Sequence, residues 1–254
     1  MARSIHKLLN RLIPIKGTTL LRSAALEVIP SMRHLDMPSR LRELAAHDFA
    51  PKVIHDIGAA RGDWSLLAHK IFPSARIFAF EPNQREAPAL EATKRAIPAF
   101  DYKLGFLGPK RDTIRYADEH TQTSILSESA APRSATAEMY VLDDLVASGE
   151  VPAPDFLKLD VQGFELEVLK GAENTLKSGP ALLLEVSFFE FLPNMPLFGD
   201  VLKFITDRGY VVHDIMGLVR RQSDDALWFM DIFCVPRDHP LRRPTPTTPA
   251  SPTI

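Results

Sequence analysis

Two acidic residues, Asp56 and Glu81, each lie close to the end of an apolar, strand-like run. Asp56 belongs to VIHDIGAARGDWS, in which a β-branched run passes into a turn with Gly58 and Gly62 and then into helix-forming residues. Backbone N–H groups and the positive end of a helix dipole converge in such a strand–turn–helix unit, so it is a common site for small ligands. A carboxylate at Asp56 would repel a phosphate and favours a cationic or amine-bearing group.

Glu81 ends the run RIFAFE, 19 residues beyond Gly62. An acid at the end of the second strand of a Rossmann-like fold can accept both hydroxyls of an adenosine ribose. S-adenosylmethionine is a common metabolite that carries both a ribose and an ammonium group, so the two carboxylates together predict it as the cofactor. The turn lacks the G-x-G-x-x-G pattern of dinucleotide-binding folds, and the chain has no G-x-x-x-x-G-K-[ST] phosphate loop.

A third segment, FLKLDVQGFELEVLKGAENTL at residues 156–176, is a predicted strand that passes directly into a helix. It resembles the signature of the FkbM family of S-adenosylmethionine-dependent methyltransferases, Lys-x-Asp-x-(Glu or Gln)-Gly-x-Glu followed by an apolar helix and Gly. DIGAARGDWS, FAFEP, TQTSIL, VLDDL and LLLEV resemble further family elements and occur in the family's order, so the resemblance covers roughly residues 50–235. The signature positions are Lys158, Asp160, Gln162, Gly163, Glu165 and Gly171.

The resemblance implies a class I methyltransferase fold, with a mainly parallel seven-stranded sheet and an antiparallel last strand. In that layout Asp160 ends the fourth strand near the sulfonium, as the candidate that orients or deprotonates an acceptor hydroxyl, with Lys158 and Glu165 as candidates that pair with it or position it. Glu185 is a weaker candidate for substrate contact. Asp160 and Glu185 are two carboxylates without a third ligand motif, so they do not predict a metal site. The implied cofactor-binding residues are Asp56, Gly58, Ala59, Gly62, Glu81 and Pro82.

The elements that must position these residues are readable from the alternation of strand-like and helical patterns. Residues 51–236 are predicted to form the methyltransferase domain, an α/β fold. The last two strands are joined by the short polar stretch GLVRRQSDD and are therefore predicted to be antiparallel neighbours. The predicted strands are 52–57, 76–81, 101–106, 155–160, 181–186, 210–215 and 227–235.

Three segments lie outside this alternation. Residues 1–50 read as a helical extension that packs on the protein's own core or a second subunit, and the basic, apolar pattern of residues 3–13 leaves contact with a membrane surface open. The Ser/Thr-rich stretch HTQTSILSESAAPRSAT is a candidate substrate lid. Residues 237–254, rich in Pro and Thr, are predicted to be a disordered tail.

Charge, cysteine count and the length of apolar runs limit the class of protein further. The net charge of −2 leaves no broad basic surface for a nucleic acid, and the single cysteine, Cys234, excludes an intrachain disulfide. No apolar run approaches the length of a membrane span and no signal-peptide pattern is present, so we expect a soluble, cytoplasmic protein that could form a homodimer. The family association and the aspartate that ends the fourth strand predict O-methylation of a hydroxyl on a sugar, a glycan or another small metabolite.

Two other functions compete with this interpretation. A nicotinamide-dependent oxidoreductase shares the strand–turn–helix unit and the ribose-binding acid, but it would require the missing glycine pattern. A non-catalytic module could keep the fold as an interaction platform, although the joint presence of Asp56, Gly58, Glu81 and Asp160 argues against the loss of activity.

Overall fold

The computed structural model describes residues 36–119, 122–125, 134–191 and 194–243. Residues 1–35 of the predicted helical extension, which include the region 3–13, lie outside these ranges. The described part of that extension contains one helix, α1. The described helices are α1 Met37–Ala46, α2 Asp63–Ile71, α3 Ala87–Ala96, α4 Leu142–Ala147, α5 Glu165–Lys170, α6 Glu173–Lys177 and α7 Phe198–Asp207.

The strands form two sheets rather than one. The large sheet is seven-stranded with the order β10-β11-β9-β8-β1-β2-β3, and the second is four-stranded with the order β4-β7-β5-β6. The strands are β1 Val53–Ile57, β2 Arg76–Glu81, β3 Phe100–Leu104, β4 Phe106–Leu107, β5 Asp112–Glu119, β6 Gln122–Ile125, β7 Ser134–Tyr140, β8 Phe156–Leu159, β9 Ala181–Ser187, β10 Tyr210–Arg220 and β11 Leu227–Pro236.

The large sheet confirms the predicted α/β class and the antiparallel last strand. β1 pairs in parallel with both β2 and β8, whereas β11 is antiparallel to both β9 and β10. The chain therefore runs outward from β1 through β2 to β3 and then returns to the other side of β1 at β8. This reversal places a topological switch point between β1 and β8, and ligands bind at such points in open α/β sheets.

Helices cover both faces of the large sheet, which explains why its strands read as nearly continuous apolar runs. In β2, Ile77 and Ala79 pack with α1, α2 and α3, while Phe78 and Phe80 pack with α4, α5, α6 and α7 on the opposite face. α1 belongs to this same core, because Leu41 is fully buried. The described part of the predicted extension thus shares its core with the large sheet.

The second sheet is the main departure from the sequence-based expectation. The strand predicted at 101–106 ends at Leu104, and Gly105, with φ of 147°, separates it from β4 in the other sheet. β6 and the first three residues of β7 lie within the Ser/Thr-rich stretch that was predicted to be a candidate substrate lid, and the remainder of that stretch lies outside the described residues. The sequence pattern favours an extra strand near DTIRYA and a short strand into YVLDDLV, which match β5 and the end of β7. Pairing between distant segments joins these strands into a second sheet, which local patterns could not predict.

The start of the predicted disordered tail is ordered. Residues Pro240–Arg242 form a 3₁₀ turn, and Leu241 packs against the core cluster that contains α1. The predicted boundary at residue 237 is therefore wrong for residues 237–243, because Leu241 supplies an apolar contact that composition alone understated. Residues 244–254 lie outside the described ranges. No helix within those ranges is long and apolar enough to cross a membrane.

Candidate active site

The carboxyl ends of β1 and β8 meet at the switch point. Asp160, directly after β8, donates its backbone N–H to the carbonyl oxygen of Ile57 at 3.1 Å, which continues the parallel pairing past the end of the strand. Gly58 has φ of 79°, and a Cβ atom there would lie 2.0 Å from the carbonyl oxygen of Asp160. Only glycine therefore permits the turn after β1 to approach the end of β8 so closely.

Asp56 lies beneath this turn and has no exposed surface. Its Oδ2 atom accepts a hydrogen bond of 2.6 Å from the Ser65 hydroxyl on α2, and its Oδ1 atom lies 3.1 Å from Nζ of Lys158. The cation that the sequence predicted beside Asp56 is thus supplied by the protein itself. The predicted role of Asp56 near the ammonium group of a cofactor stays a prediction, and Lys158 already satisfies the charge of this carboxylate.

Lys158 lies between the buried carboxylate of Asp56 and the exposed carboxylate of Asp160. Its ammonium group donates to the carbonyl oxygen of Gly58 at 3.1 Å and lies 3.6 Å from Oδ2 of Asp160. Burial alone would lower the pKa of Lys158, but the negative charges of Asp56 and Asp160 more than offset it and raise the pKa above its ordinary value. Lys158 thus lies within ion-pair distance of both carboxylates, with the shorter contact to Asp56, and its predicted role beside Asp160 stays a prediction.

The backbone of the glycine turn is largely engaged within the protein. The N–H groups of Gly58 and Ala59 both donate to the carbonyl oxygen of Phe80, at 2.9 and 3.1 Å, and the N–H of Gly62 donates to Ala59. These N–H groups therefore do not form a phosphate cradle, which agrees with the exclusion of a phosphate loop from the sequence.

Glu81, the last residue of β2, ties two loops together. One carboxylate oxygen accepts from the N–H of Ala60 at 2.7 Å, and the other accepts from the N–H of Asn83 at 2.8 Å. Burial raises the pKa of Glu81, and the hydrogen bonds from Asn83 and Ala60 oppose this effect. Each carboxylate oxygen has a second lone pair. The predicted contact of Glu81 with a ribose stays a prediction that this geometry permits.

Pro82 is held by the second sheet. The Tyr116 hydroxyl on β5 donates to the carbonyl oxygen of Pro82 at 3.2 Å. Tyr116 is almost fully buried and packs with Phe106 on β4, and Phe164 at the start of α5 adjoins the same cluster. The second sheet thus braces the loop after Glu81, a role that no local sequence signal indicated for Tyr116.

Glu165 opens α5 and faces back toward the end of β8. Its Oε1 atom accepts from the N–H groups of Val161 at 3.3 Å and Gly163 at 3.1 Å, so the carboxyl group stabilises the turn between β8 and α5. Burial raises the pKa of Glu165 to about 7 against these hydrogen bonds. The structure accordingly places Glu165 as a group that shapes the loop carrying Asp160, without direct pairing between the two side chains.

Three carboxyl groups lie in a row across neighbouring strands. Asp231 on β11 is paired in register with Glu185 on β9, and Leu184 is paired with Leu159, which places Glu185 beside Asp160. Burial and the negative charges of Asp160 and Asp231 raise the pKa of Glu185 to about 8. Burial and Asp160 likewise raise the pKa of Asp231 to about 6.

Sequence reasoning missed Asp231 and Ser65. Asp231 is the one acid in the apolar run LWFMDIFCVP, so its isolation among apolar residues was a usable signal. Ser65 stands one turn into a helix and carries no comparable signal. Of the predicted residues, Asp56, Gly58, Lys158 and Asp160 meet at one point. Glu81, Ala59 and Gly62 lie on the adjacent turn and strand end, since Glu81 bonds to the N–H of Ala60.

The chain is similar to several known proteins. Hexuronic acid methyltransferase AglP of Haloferax volcanii is 28% identical over 180 residues, which cover 68% of this chain and 72% of that protein. The crystallised methyltransferase FkbM from Methylobacillus flagellatus KT is 18% identical with a TM-score of 0.48, over 72% of this chain and 43% of that chain. This chain thus spans less than half the length of that crystallised protein.

A further solved structure is Aeropyrum pernix fibrillarin in complex with natively bound S-adenosyl-L-methionine, with 16% identity, a TM-score of 0.44, and coverage of 72% of this chain and 66% of that chain. The family model described as "Methyltransferase FkbM domain" matches residues 56–212, more than half of the chain. That match contains the glycine turn, Glu81, Lys158, Asp160 and Glu185, and it does not favour an oxidoreductase or a non-catalytic module. The chain belongs to the FkbM methyltransferase family.

Proposed function

We propose that this protein is an S-adenosylmethionine-dependent methyltransferase that methylates a hydroxyl group of a sugar. The observation that carries the proposal is the placement of Asp160. Its side chain is 40% exposed at the switch point, directly beside the Gly58 turn, while its partner Lys158 is buried beneath it. An accessible carboxylate held at a cofactor-binding edge is suited to accept a proton from a substrate hydroxyl.

The residues around the switch point fit the proposed cofactor. Glu81 lies at the end of the strand that neighbours β1 and retains free lone pairs, as a ribose-binding acid requires. The absence of a side chain at Gly58 lets the turn lie directly against the backbone of Asp160. Glu81 and Pro82 would hold the ribose side of the cofactor, and Gly58, Ala59 and Gly62 would line its approach to Asp160. When bound, S-adenosylmethionine supplies a methyl group on a positively charged sulfur.

The protein's contribution to the chemistry is orientation and proton acceptance. A hydroxyl is a poor nucleophile at neutral pH, so a carboxylate that takes its proton while the new oxygen–carbon bond forms lowers the barrier. Asp160 takes this proton, and the carbon–sulfur bond breaks as the oxygen–carbon bond forms. Lys158 stabilises the charge of Asp160 before the transfer and holds the carboxylate toward the Gly58 turn.

A sugar acceptor is supported by the relative AglP, whose name describes a hexuronic acid methyltransferase. A hexuronic acid offers both hydroxyl groups and a carboxylate to a methyl donor. A substrate carboxylate at the reacting position would lie beside the carboxylate of Asp160, and like charges disfavour that approach. We therefore propose a hydroxyl as the acceptor, and a methyl ether as the product.

The test uses the full chain with S-adenosylmethionine carrying a deuterated methyl group. Glucuronides and matched glucosides serve as acceptors, and mass spectrometry reads the incorporated label. A labelled product that survives mild base is an ether and supports the proposal, whereas a base-labile product is a methyl ester and contradicts it. Absence of S-adenosylmethionine binding in calorimetry, or transfer to neither class of sugar, would also overturn it.

A further inference from the structure

The turn that follows β8 contains an unusual backbone. Gln162 has φ of 54° and Gly163 has φ of 92°, so two successive residues lie in the left-handed region. A non-glycine residue in that region is strained and persists only where its surroundings determine it. The left-handed backbone conformation does not favour glutamine, so contacts of the Gln162 side chain should explain why glutamine occupies this position.

The side chain of Gln162 reaches back over the carboxyl ends of two strands. Its Nε2 atom donates to Oδ1 of Asp160 at 3.0 Å and to Oε2 of Glu185 at 3.3 Å. One amide nitrogen has two hydrogens, so a single group can satisfy both contacts. Asp160 is consequently held from two sides, by Gln162 at Oδ1 and by Lys158 at Oδ2.

We propose that Gln162 is a positioning residue that fixes the carboxylate of Asp160 by bridging it to Glu185. A neutral amide suits this place because the neighbouring row is already acidic, and a further carboxylate would repel Asp160. The bridge leaves each oxygen of Asp160 with a second lone pair for a substrate proton. The importance of the bridge for methyl transfer rests on the proposed function, whereas the bridge itself can be measured without any substrate.

The pKa of Glu185 provides a measure of the hydrogen bond that Gln162 donates to it. The groups that face it are Asp160 after β8, Asp231 on β11, Glu165 on α5 and, as the opposing cation, Lys158 on β8. A hydrogen bond from an amide favours the ionised form of a carboxyl group. Loss of the Gln162 amide should therefore raise the pKa of Glu185 further, by about 0.5 to 1.

The test is a titration of Glu side-chain carboxyl carbons by ¹³C NMR in the full chain without ligand, with the Glu185 signal assigned from its absence in Glu185→Gln. Gln162→Gly removes the side chain but suits the positive φ, so melting temperature should hold or rise. Gln162→Asn tolerates the same φ and keeps an amide on a shorter stem, and it provides a second variant. Gln84→Ala, at an exposed glutamine after β2, is the control.

We expect both Gln162 variants to raise the pKa of Glu185 with melting temperature maintained, and the control to leave it unchanged. An unchanged Glu185 titration in either folded Gln162 variant overturns the bridge. An equal change in the control would overturn it as well. Failure of the proposed function would instead appear as absent methyl transfer by the wild-type chain, which leaves these titrations intact.

Discussion

The ammonium group of Lys158 lies 3.1 Å from Oδ1 of Asp56, beneath the turn that ends β1. The two residues come from neighbouring parallel strands and are paired directly in register. Lys158 is 6% exposed at its side chain and Asp56 is not exposed at all, so neither charge can be solvated by water if the other is removed. The pair therefore links the integrity of the β1–β8 edge to the orientation of Asp160.

Removal of one member of this pair should destabilise the fold. We expect Lys158→Met to lower the free energy of unfolding by about 3 to 5 kcal/mol, because it leaves Asp56 as an unpaired buried charge. The double variant Asp56→Asn with Lys158→Met should recover a substantial part of that loss. Urea denaturation of the four proteins in this cycle measures the coupling, and strictly additive effects would show that the pair does not interact.

The cofactor prediction concerns Glu81. We expect Glu81→Ala to weaken S-adenosylmethionine binding by about 1.5 to 3 kcal/mol, which is the range for hydrogen bonds to a charged group. Titration calorimetry measures the affinity, and circular dichroism checks the fold because Glu81 also bonds to Ala60 and Asn83. Glu86→Ala removes a nearby carboxylate and is the control. Equal affinity in wild type and Glu81→Ala would remove Glu81 from the site.

The catalytic prediction concerns Asp160. We expect Asp160→Asn to lower kcat by roughly 100-fold or more while S-adenosylmethionine affinity stays within a few-fold, because the carboxylate acts on the transferred proton rather than on binding. Single-turnover kinetics provide the measurement, with a sugar acceptor that the labelling experiment has shown to be methylated. Full activity of Asp160→Asn would exclude Asp160 as the base.

The carboxyl group of Glu185 makes stability depend on pH. Its pKa is raised from 4.5 to about 8, so between these values the folded state binds more protons than the unfolded state. The contribution of Glu185 to the free energy of unfolding is fully present below pH 4.5 and is lost as the pH rises through 8. Relative to wild type, Glu185→Gln should therefore become more stable as pH rises from 5 to 8.5, by up to about 4 kcal/mol.

Thermal unfolding across this pH range measures the Glu185 effect. Glu190→Gln, at an exposed position, is the control and should run parallel to wild type. A stability difference between Glu185→Gln and wild type that does not vary with pH would contradict the assignment.

The chain end provides a further prediction. The sequence alone predicts no loss from deletion of residues 240–254, whereas the structure packs Leu241 against the core and places His239 beside Phe49, with ring centroids 6.4 Å apart. Deletion of 240–254 should therefore lower the melting temperature by a few degrees, as expected for about 1 kcal/mol. Deletion of 244–254 is the matched control and should change it little. Identical melting temperatures in both truncations would show that Leu241 contributes nothing.

Local patterns in the sequence determined much of this protein. Apolar runs bounded by turn residues predicted every strand of the large sheet, because parallel strands covered on both faces need continuous apolar sequence. The spacing of Asp56, Gly58 and Glu81 and the signature around Asp160 predicted the family, since these features lie within single strand–turn–helix units. The short polar link between β10 and β11 predicted their antiparallel pairing.

The tertiary structure alone decided the partners of the site residues. Lys158 meets Asp56 because β1 and β8 pair in register, and Asp231 joins Glu185 and Asp160 because β11 inserts beside β9. Tyr116 braces Pro82 because the second sheet forms between segments far apart in the chain. Such contacts depend on strand register and on pairing between distant segments, and local sequence patterns do not determine either. The Lys158–Asp56 ion pair, the row of Asp160, Glu185 and Asp231, and the Gln162 bridge could therefore be found only in the folded structure.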